Sequence, residues 1–261
     1  MAQIITLLTD FGTRDTYVGV MKGVITALCP SACIIDLTHD IPPQDLYAAR
    51  FNLLTAVPYF PPDAVHVVVV DPGVGTSRRG IAVQTGQGIL VGPDNGVMGG
   101  VLQAHPMQRG VALTNRAYWR RPDPSTTFHG RDIFAPAAAH LAGGVPLEQL
   151  GSALAADSLE RLNLPSLVRA DQSLGGTVQY IDQFGNGITT IPAEAVGTEP
   201  WGVTLGPVTL PWQRTYGEVG PGQPLALIGS HGWVEIAVNQ GNARQQLGLQ
   251  VGADVTLQWS P

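Results

Sequence analysis

The sequence predicts an α/β N-terminal domain with a mostly parallel sheet over residues 1–168, followed by an antiparallel β domain, barrel or sandwich, over 169–261. Two observations predict this. Up to about residue 150, apolar β-branched runs alternate with helical patterns, the arrangement that covers a parallel sheet with helices. After Leu164-Pro165 the pattern changes to short β-rich runs separated by Gly, Pro and Asn turns.

In chain order, Ile4 to Thr9, Cys33 to Leu37 and Val65 to Val70 carry apolar residues on both faces, as expected of strands buried between helix layers. Ile81 to Gln84 and Ile89 to Val91 read as a short hairpin or edge pair. Tyr17 to Leu28 places Val18, Met21, Val24, Ile25 and Leu28 on one helical face, and Pro30 stops it. Asp45 to Val57 and Ile133 to Leu141 are the other helices, with Asp45 and Asp132 as their expected caps. The C-terminal strands are expected at 177–181, 188–191, 203–205, 224–228, 234–237 and 254–258.

Composition narrows the function. The 261 residues include only 14 basic and 20 acidic ones against 32 Gly and 21 Pro, and Lys22 is the single lysine. No basic stripe exists to neutralise a phosphate backbone, so nucleic acid is excluded as the default partner. Gly-Lys-Ser/Thr is absent, which removes Walker-type phosphate loops. The longest continuous apolar runs, Val67 to Val70 among them, reach four residues, far short of the roughly 20 residues of a membrane helix. Cys29 and Cys33 read as buried thiols in a reducing compartment, and the N-terminus reads as a strand and not a signal. A soluble cytoplasmic protein is expected. The histidines show no metal-ligand spacing, so no metal is expected.

Three buried strands run into aspartates: Asp10, Asp40 at the end of Asp36-Leu37-Thr38-His39-Asp40, and Asp71. The carboxyl ends of strands in an open parallel sheet form the ligand crevice, so three such ends point to a site although each Asp alone is also a good turn residue. Asp71-Pro72-Gly73-Val74-Gly75-Thr76 adds glycines that let backbone N–H groups approach a ligand, followed by Arg78 and Arg79. Pro93-Asp94-Asn95-Gly96 is most cheaply a turn. His129-Gly130 stands before a helix, where a polar reactant or a structural histidine fits equally. Asn186-Gly187 alone signals a hairpin, but Asp182 and Phe184 beside it suit a flat heterocycle, the ring by stacking and the amide by hydrogen bonds.

Together these segments, Thr9-Asp10-Phe11-Gly12-Thr13-Arg14-Asp15, Asp71 to Thr76, Gly92-Pro93-Asp94-Asn95-Gly96, Phe128-His129-Gly130-Arg131-Asp132 and Asp182-Gln183-Phe184-Gly185-Asn186, resemble the S-adenosyl-L-methionine (SAM) hydroxide adenosyltransferases, the family that also holds fluorinase and chlorinase. The resemblance implies a C-terminal antiparallel β-barrel and a homotrimer with active sites between one subunit's N-terminal domain and its neighbour's C-terminal domain. It also implies hydrolysis of SAM to adenosine and L-methionine, with SAM as substrate and no separate cofactor. By motif position Asp71, Arg78 and His129 form the catalytic triad, with Arg79 as the alternative arginine and the proton acceptor open between His129 and Asp71. Asp10 resembles the carboxylate that grips the ribose diol. Asp15, Asp182 and Ser230 match positions around the methionine amino and carboxylate groups, Phe184 and Asn186 match adenine contacts, and Gly130 lies in the substrate pocket. The halide-using relatives have tyrosine and serine where this chain has His129 and Gly130, and tyrosine at Asp71, which points to water as nucleophile. They also have arginine at His231 and tryptophan at Ile188. A halide-dependent 5′-halogenase and a SAM-binding sensor of negligible turnover are the alternatives.

Overall fold

The computed structural model describes residues 3–197 and 200–259. The chain divides into two compact units, Met1–Leu162 and Asn163–Pro261.

The first unit runs β1 (Ile4–Thr9), α1 (Tyr17–Leu28), β2 (Cys33–Thr38), α2 (Leu46–Ala56), β3 (Val65–Val69), β4 (Gly80–Thr85), β5 (Gly88–Pro93), α3 (Gly99–Ala104), β6 (Arg109–Ala112), α4 (Ala135–Ala142) and β7 (Ser152–Ala153). Its seven-stranded sheet has the order β2-β1-β3-β5-β4-β6-β7. The pairs β2-β1, β1-β3 and β3-β5 are parallel, and β4 runs antiparallel between β5 and β6. The expected hairpin of residues 81–91 therefore lies inside the sheet. β1 and β3 are buried as their composition demands, whereas β2 is an edge strand with no buried position. That edge place corrects two expectations: β2 is not covered on both faces, and Cys33 is exposed while Cys29 is buried.

Helix α1 buries Val18, Met21 and Ile25, the i, i+3, i+7 face, and packs on α4. Each such side chain contributes about 1.5–3 kcal/mol when fully covered. Asp45 caps α2, its Oδ1 accepting the Ala48 N–H at 2.9 Å, worth about 1 kcal/mol. Asp132 does not act as a cap. The 133–141 helix begins earlier, with a π-helical turn over Gly130–Phe134, and Asp132 sits inside it, fully buried. Its carboxylate instead accepts from Arg131 at 2.7 Å on each oxygen and from the Ser125 N–H at 2.9 Å. These partners outweigh desolvation and pull its pKa down to about 2.

The second unit runs β8 (Val168–Ala170), β9 (Ser173–Ile181), β10 (Gly187–Pro192), α5 (Ala193–Val196), β11 (Trp201–Leu205), β12 (Val208–Pro211), β13 (Pro224–Ile228), β14 (Trp233–Val238), α6 (Ala243–Leu247) and β15 (Asp254–Trp259). The path β12-β11-β15-β9-β10-β14-β13 is antiparallel at every step, with β8 attached to β9. A bridge from Trp212 to Ala226 brings the two ends of the path together, and Gln213 N–H donates to the Ala226 carbonyl at 2.9 Å. The sheet is a nearly closed barrel and not a sandwich. Leu174, Val178, Ile191, Val203, Ile236 and Leu257 fill its core.

Candidate active site

Thr9 and Val69 are register partners on the adjacent parallel strands β1 and β3, so the chain emerges from both at the same carboxyl edge. Asp10 follows Thr9 directly and Asp71 follows Val69 with Val70 between, and both line a cavity of about 410 Å³ in the first unit, with Gln44 and His129 as further polar lining residues. That volume falls in the range of small-molecule sites. Asp40, the third strand-end aspartate, is exposed and does not line the cavity, because β2 is the edge strand. Its neighbour Asp36 pairs with Lys22 at 2.6 Å and His39 at 3.0 Å.

The loop from Asp71 to Arg79 turns back so that Arg78 meets Asp71. Arg78 Nε donates to Asp71 Oδ1 at 2.9 Å, and Nη2 donates to Asp71 Oδ2. The same Nη2 lies 2.9 Å from His129 Nδ1. The two charged side chains are only 10% and 6% exposed, so this is a desolvated pair. Such a pair holds only with good geometry and further hydrogen bonds, which the bidentate contact and His129 supply. The Phe134 ring lies 5.3 Å below the guanidinium. Gly75 makes the loop possible: at φ +80° it approaches Thr126 so closely that a Cβ would stand 2.3 Å from the Thr126 carbonyl oxygen. The loop carrying Asp71 and Arg78 is thereby seated on the segment carrying His129. Arg79 points elsewhere, to Asp94 at 2.9 Å through Nε and to Ser158. Asp94 is buried, and Asn95 donates to the Val70 carbonyl at 3.0 Å, so Pro93 to Gly96 is a pinned turn.

A guanidinium only donates, so His129 Nδ1 is an acceptor and the neutral ring carries its proton on Nε2. Burial first, then the Arg78 charge, lowers the His129 pKa against the opposing pull of Asp71 and Asp132. Asp10 is held by a backbone group: its Oδ2 accepts the Gln44 N–H at 2.8 Å. Gln44 has φ +66°, a left-handed conformation unusual for a side chain without special need. Gly130 is buried next to the lining residue His129 but is not itself part of the cavity lining, and a Cβ there would stand 3.2 Å from Met21 Sδ and 3.3 Å from the Phe128 ring. Asp15 is exposed and outside the cavity lining.

The remaining expected residues lie on the second unit. Asp182, Phe184 and Asn186 form one turn between β9 and β10. Asp182 Oδ1 accepts the N–H groups of Phe184 at 2.9 Å and Asn186 at 2.8 Å, and Oδ2 accepts from Asn186 Nδ2 at 3.1 Å. Phe184 projects from that turn, 74% exposed. Ser230 is exposed in the β13-β14 loop. There His231 Nε2 lies 3.1 Å from Glu235 Oε2, and His231 Nδ1 accepts the Trp233 N–H at 3.1 Å. Buried Glu235 also accepts from the Tyr216 hydroxyl at 2.7 Å, and burial followed by that bond raises the Tyr216 pKa. Gln44, Tyr216 and Glu235 went unread in the sequence. Glu235 carries a recoverable signal, an acid within the apolar run Val234 to Val238; Gln44 carries none, since left-handed positions favour Gly and Asn.

A family model for the SAM hydroxide adenosyltransferase N-terminal domain matches residues 5–151, and one for the C-terminal domain of the same family matches residues 176–256. The chain belongs to the SAM hydroxide adenosyltransferase family. Within it, the chain is 44% identical over 260 residues to a protein of Thermus thermophilus named (R)-S-adenosyl-L-methionine hydrolase, covering 96% of this chain and 97% of that one. A fluorinase of Actinopolyspora mzabensis is more distant, 28% identical with 97% and 96% covered. An uncharacterised conserved protein of Thermotoga maritima has a similar solved structure, with a TM-score of 0.91, 39% identity and 97% and 99% covered. Among the described residues, no group of three or more His, Cys, Asp or Glu is placed to hold a metal, and no helix is long and apolar enough to cross a membrane.

Proposed function

We propose that the protein hydrolyses S-adenosyl-L-methionine to adenosine and L-methionine, with Asp71, Arg78 and His129 at the reacting water and Asp10 on the ribose diol. The observation that carries this reading is the hydrogen-bonded Asp71–Arg78–His129 cluster, two of whose members line the cavity beside Asp10. The protein of Thermus thermophilus named as a hydrolase of this substrate supports it.

In the reaction the water oxygen bonds to C5′ as the C5′–S bond breaks, and its electron pair returns to sulfur. The leaving group is a neutral thioether and needs no acid. His129, with Nδ1 committed to Arg78, offers Nε2–H and orients the water as a donor. Asp71 keeps unused lone pairs beside its bonds to Arg78 and takes the proton. A strong base is not required, because the proton departs from an alkyl oxonium once the C–O bond has formed. Water is a feeble nucleophile, so positioning supplies much of the acceleration, up to several kcal/mol. Asp15, Gly130, Asp182, Phe184, Asn186 and Ser230 complete the substrate site in this reading, the first two on one unit and the others on the barrel. A homotrimer is what the family resemblance implies, and the two thiols without a disulfide, Cys29 and Cys33, suit a cytoplasmic setting.

The test is incubation of the purified protein with SAM in ¹⁸O-labelled water, with and without chloride and a chelator, and product identification by mass spectrometry. Labelled adenosine plus methionine, unchanged by either addition, is expected. A 5′-chloronucleoside, or bound but intact SAM, overturns the reading. Light scattering checks the trimer against the 27.5 kDa chain.

A further inference from the structure

Three aromatic rings, Phe11, Tyr17 and Phe128, line the same cavity as Asp10, Asp71 and His129. Their centroids are 5.2–5.9 Å apart, and their planes meet at 53°, 78° and 87°. Rings at this spacing and tilt are packed edge to face and brace one another, and the surface they leave toward the cavity is an aromatic wall against which a sulfonium or quaternary ammonium cation can rest. Phe128 is fixed from outside. Arg131 stacks 5.2 Å over its ring and is itself clamped to buried Asp132.

The charges lining the cavity favour this wall for a cation. Asp71 is neutralised by Arg78, the Arg78 contact leaves His129 uncharged, and one Asp10 oxygen is held by the Gln44 N–H. With Asp71 paired to Arg78 and Asp10 assigned to the ribose diol in the proposed reading, the rings are the electron-rich part of the lining left to meet the positive sulfur.

We infer that Phe11, Tyr17 and Phe128 form an aromatic wall that recognises the sulfonium of the substrate and discriminates it from neutral thioethers. This inference rests on the proposed reading, with SAM as the ligand. It carries a kinetic signature. The positive charge on sulfur declines as the C5′–S bond breaks, so the rings stabilise the bound substrate more than the transition state. They lower KM without raising kcat, and they release their grip once the thioether has formed.

The experiment compares Tyr17→Leu, Phe11→Leu and Tyr17→Phe with the wild type. Initial rates give KM and kcat for SAM, and competition gives Ki for S-adenosylhomocysteine, the uncharged thioether of nearly the same shape. Tyr17 is half exposed in the first turn of α1, so its leucine variant keeps the fold, which the melting temperature checks. The leucine variants are expected to raise KM for SAM by about 3- to 10-fold, the range of a partly desolvated cation–π contact. Their kcat is expected to hold or rise and Ki for the thioether to move less than 2-fold, while Tyr17→Phe restores the wild-type KM. Equal loss for both ligands at an unchanged melting temperature, or a fall in kcat at constant KM, overturns the aromatic wall. Failure of the underlying reading is separate: the wild type itself would then neither bind nor cleave SAM.

Discussion

Arg78 Nη2 stands 2.9 Å from His129 Nδ1 while also donating to Asp71 Oδ2, so one amino group joins the loop after β3 to the turn before α4. A lysine ammonium at this position lacks the planar fork and cannot reproduce the Nε contact together with the shared Nη2. Arg78→Lys is expected to lower kcat by about 100-fold or more, with KM within a few-fold, on the scale of losing one preorganised donor. Steady-state kinetics check this, and near-wild-type kcat in the lysine variant would remove Arg78 from the triad.

The same contact sets a pH profile. The His129 pKa lies below its ordinary value, through burial first and the Arg78 charge second. Protonation would turn Nδ1 into a donor facing the guanidinium, so the neutral ring is the working form. Activity should fall in acid with a midpoint below 6.5, the ordinary histidine value. Removing the charge with Arg78→Met should move the His129 titration, followed by NMR, upward. An unmoved titration refutes the coupling.

Gly75 offers a test of how the site is assembled. Alanine there must adopt φ +80° and place a Cβ 2.3 Å from the Thr126 carbonyl oxygen. Gly75→Ala should destabilise the protein by about 2 kcal/mol or more through strain and forced displacement, and lower kcat because the loop lifts from the His129 segment. Gly144, at φ +89° with nothing within 4 Å of its would-be Cβ, is the control. Its alanine variant should show a smaller loss of melting temperature and full activity.

Gln44 spends backbone strain to aim Asp10. Gln44→Gly keeps the N–H and removes the strain, so adenosine affinity should be retained. Gln44→Val disfavours φ +66°, and adenosine binding measured by calorimetry should weaken by about 10-fold, the worth of a typical charged hydrogen bond. Equal affinities in the two variants would show that Asp10 needs no such support.

Stability should fall in mild acid because of a residue remote from catalysis. His66 is fully buried in β3 with Nδ1 2.9 Å from Thr6 Oγ1, and desolvation lowers its pKa to about 4. The unfolded chain binds that proton near pH 6.5 and the folded chain only near 4. The stabilisation is therefore complete above 6.5 and is lost as pH falls through that window, amounting to roughly 3 kcal/mol. Urea titrations at pH 7.5 and 4.5 should show this drop in the wild type and a reduced one in His66→Gln. Equal drops assign the acid sensitivity elsewhere.

Much of the architecture was legible because period and burial agree along β1, β3 and α1. The failures lie where a neighbour decides. β2 reads like β1 as apolar on both faces apart from Asp36, and its place at the sheet edge exposes Cys33 and leaves Asp40 outside the cavity. Asp132 looks like a cap because it precedes an apolar face, but a π-helical turn carries it into the interior, where Arg131 claims it. Asp71 and His129 were readable as motif residues. Adjacent arginines were not separable by type, and the turn of the loop assigns Arg78 to Asp71 and Arg79 to Asp94. Gln44 acts through its backbone, which leaves no trace in its identity.

The Asp71–Arg78 pair also bears on the ions around the protein. An anion seeking the Arg78 guanidinium has to displace a carboxylate already bound through both its oxygens, in a place where only a tenth of the guanidinium side chain is open. Water asks for no such displacement. The internal carboxylate thus acts as the resident anion of the guanidinium, and dissolved salt competes for that cation only where it can unseat a bidentate partner.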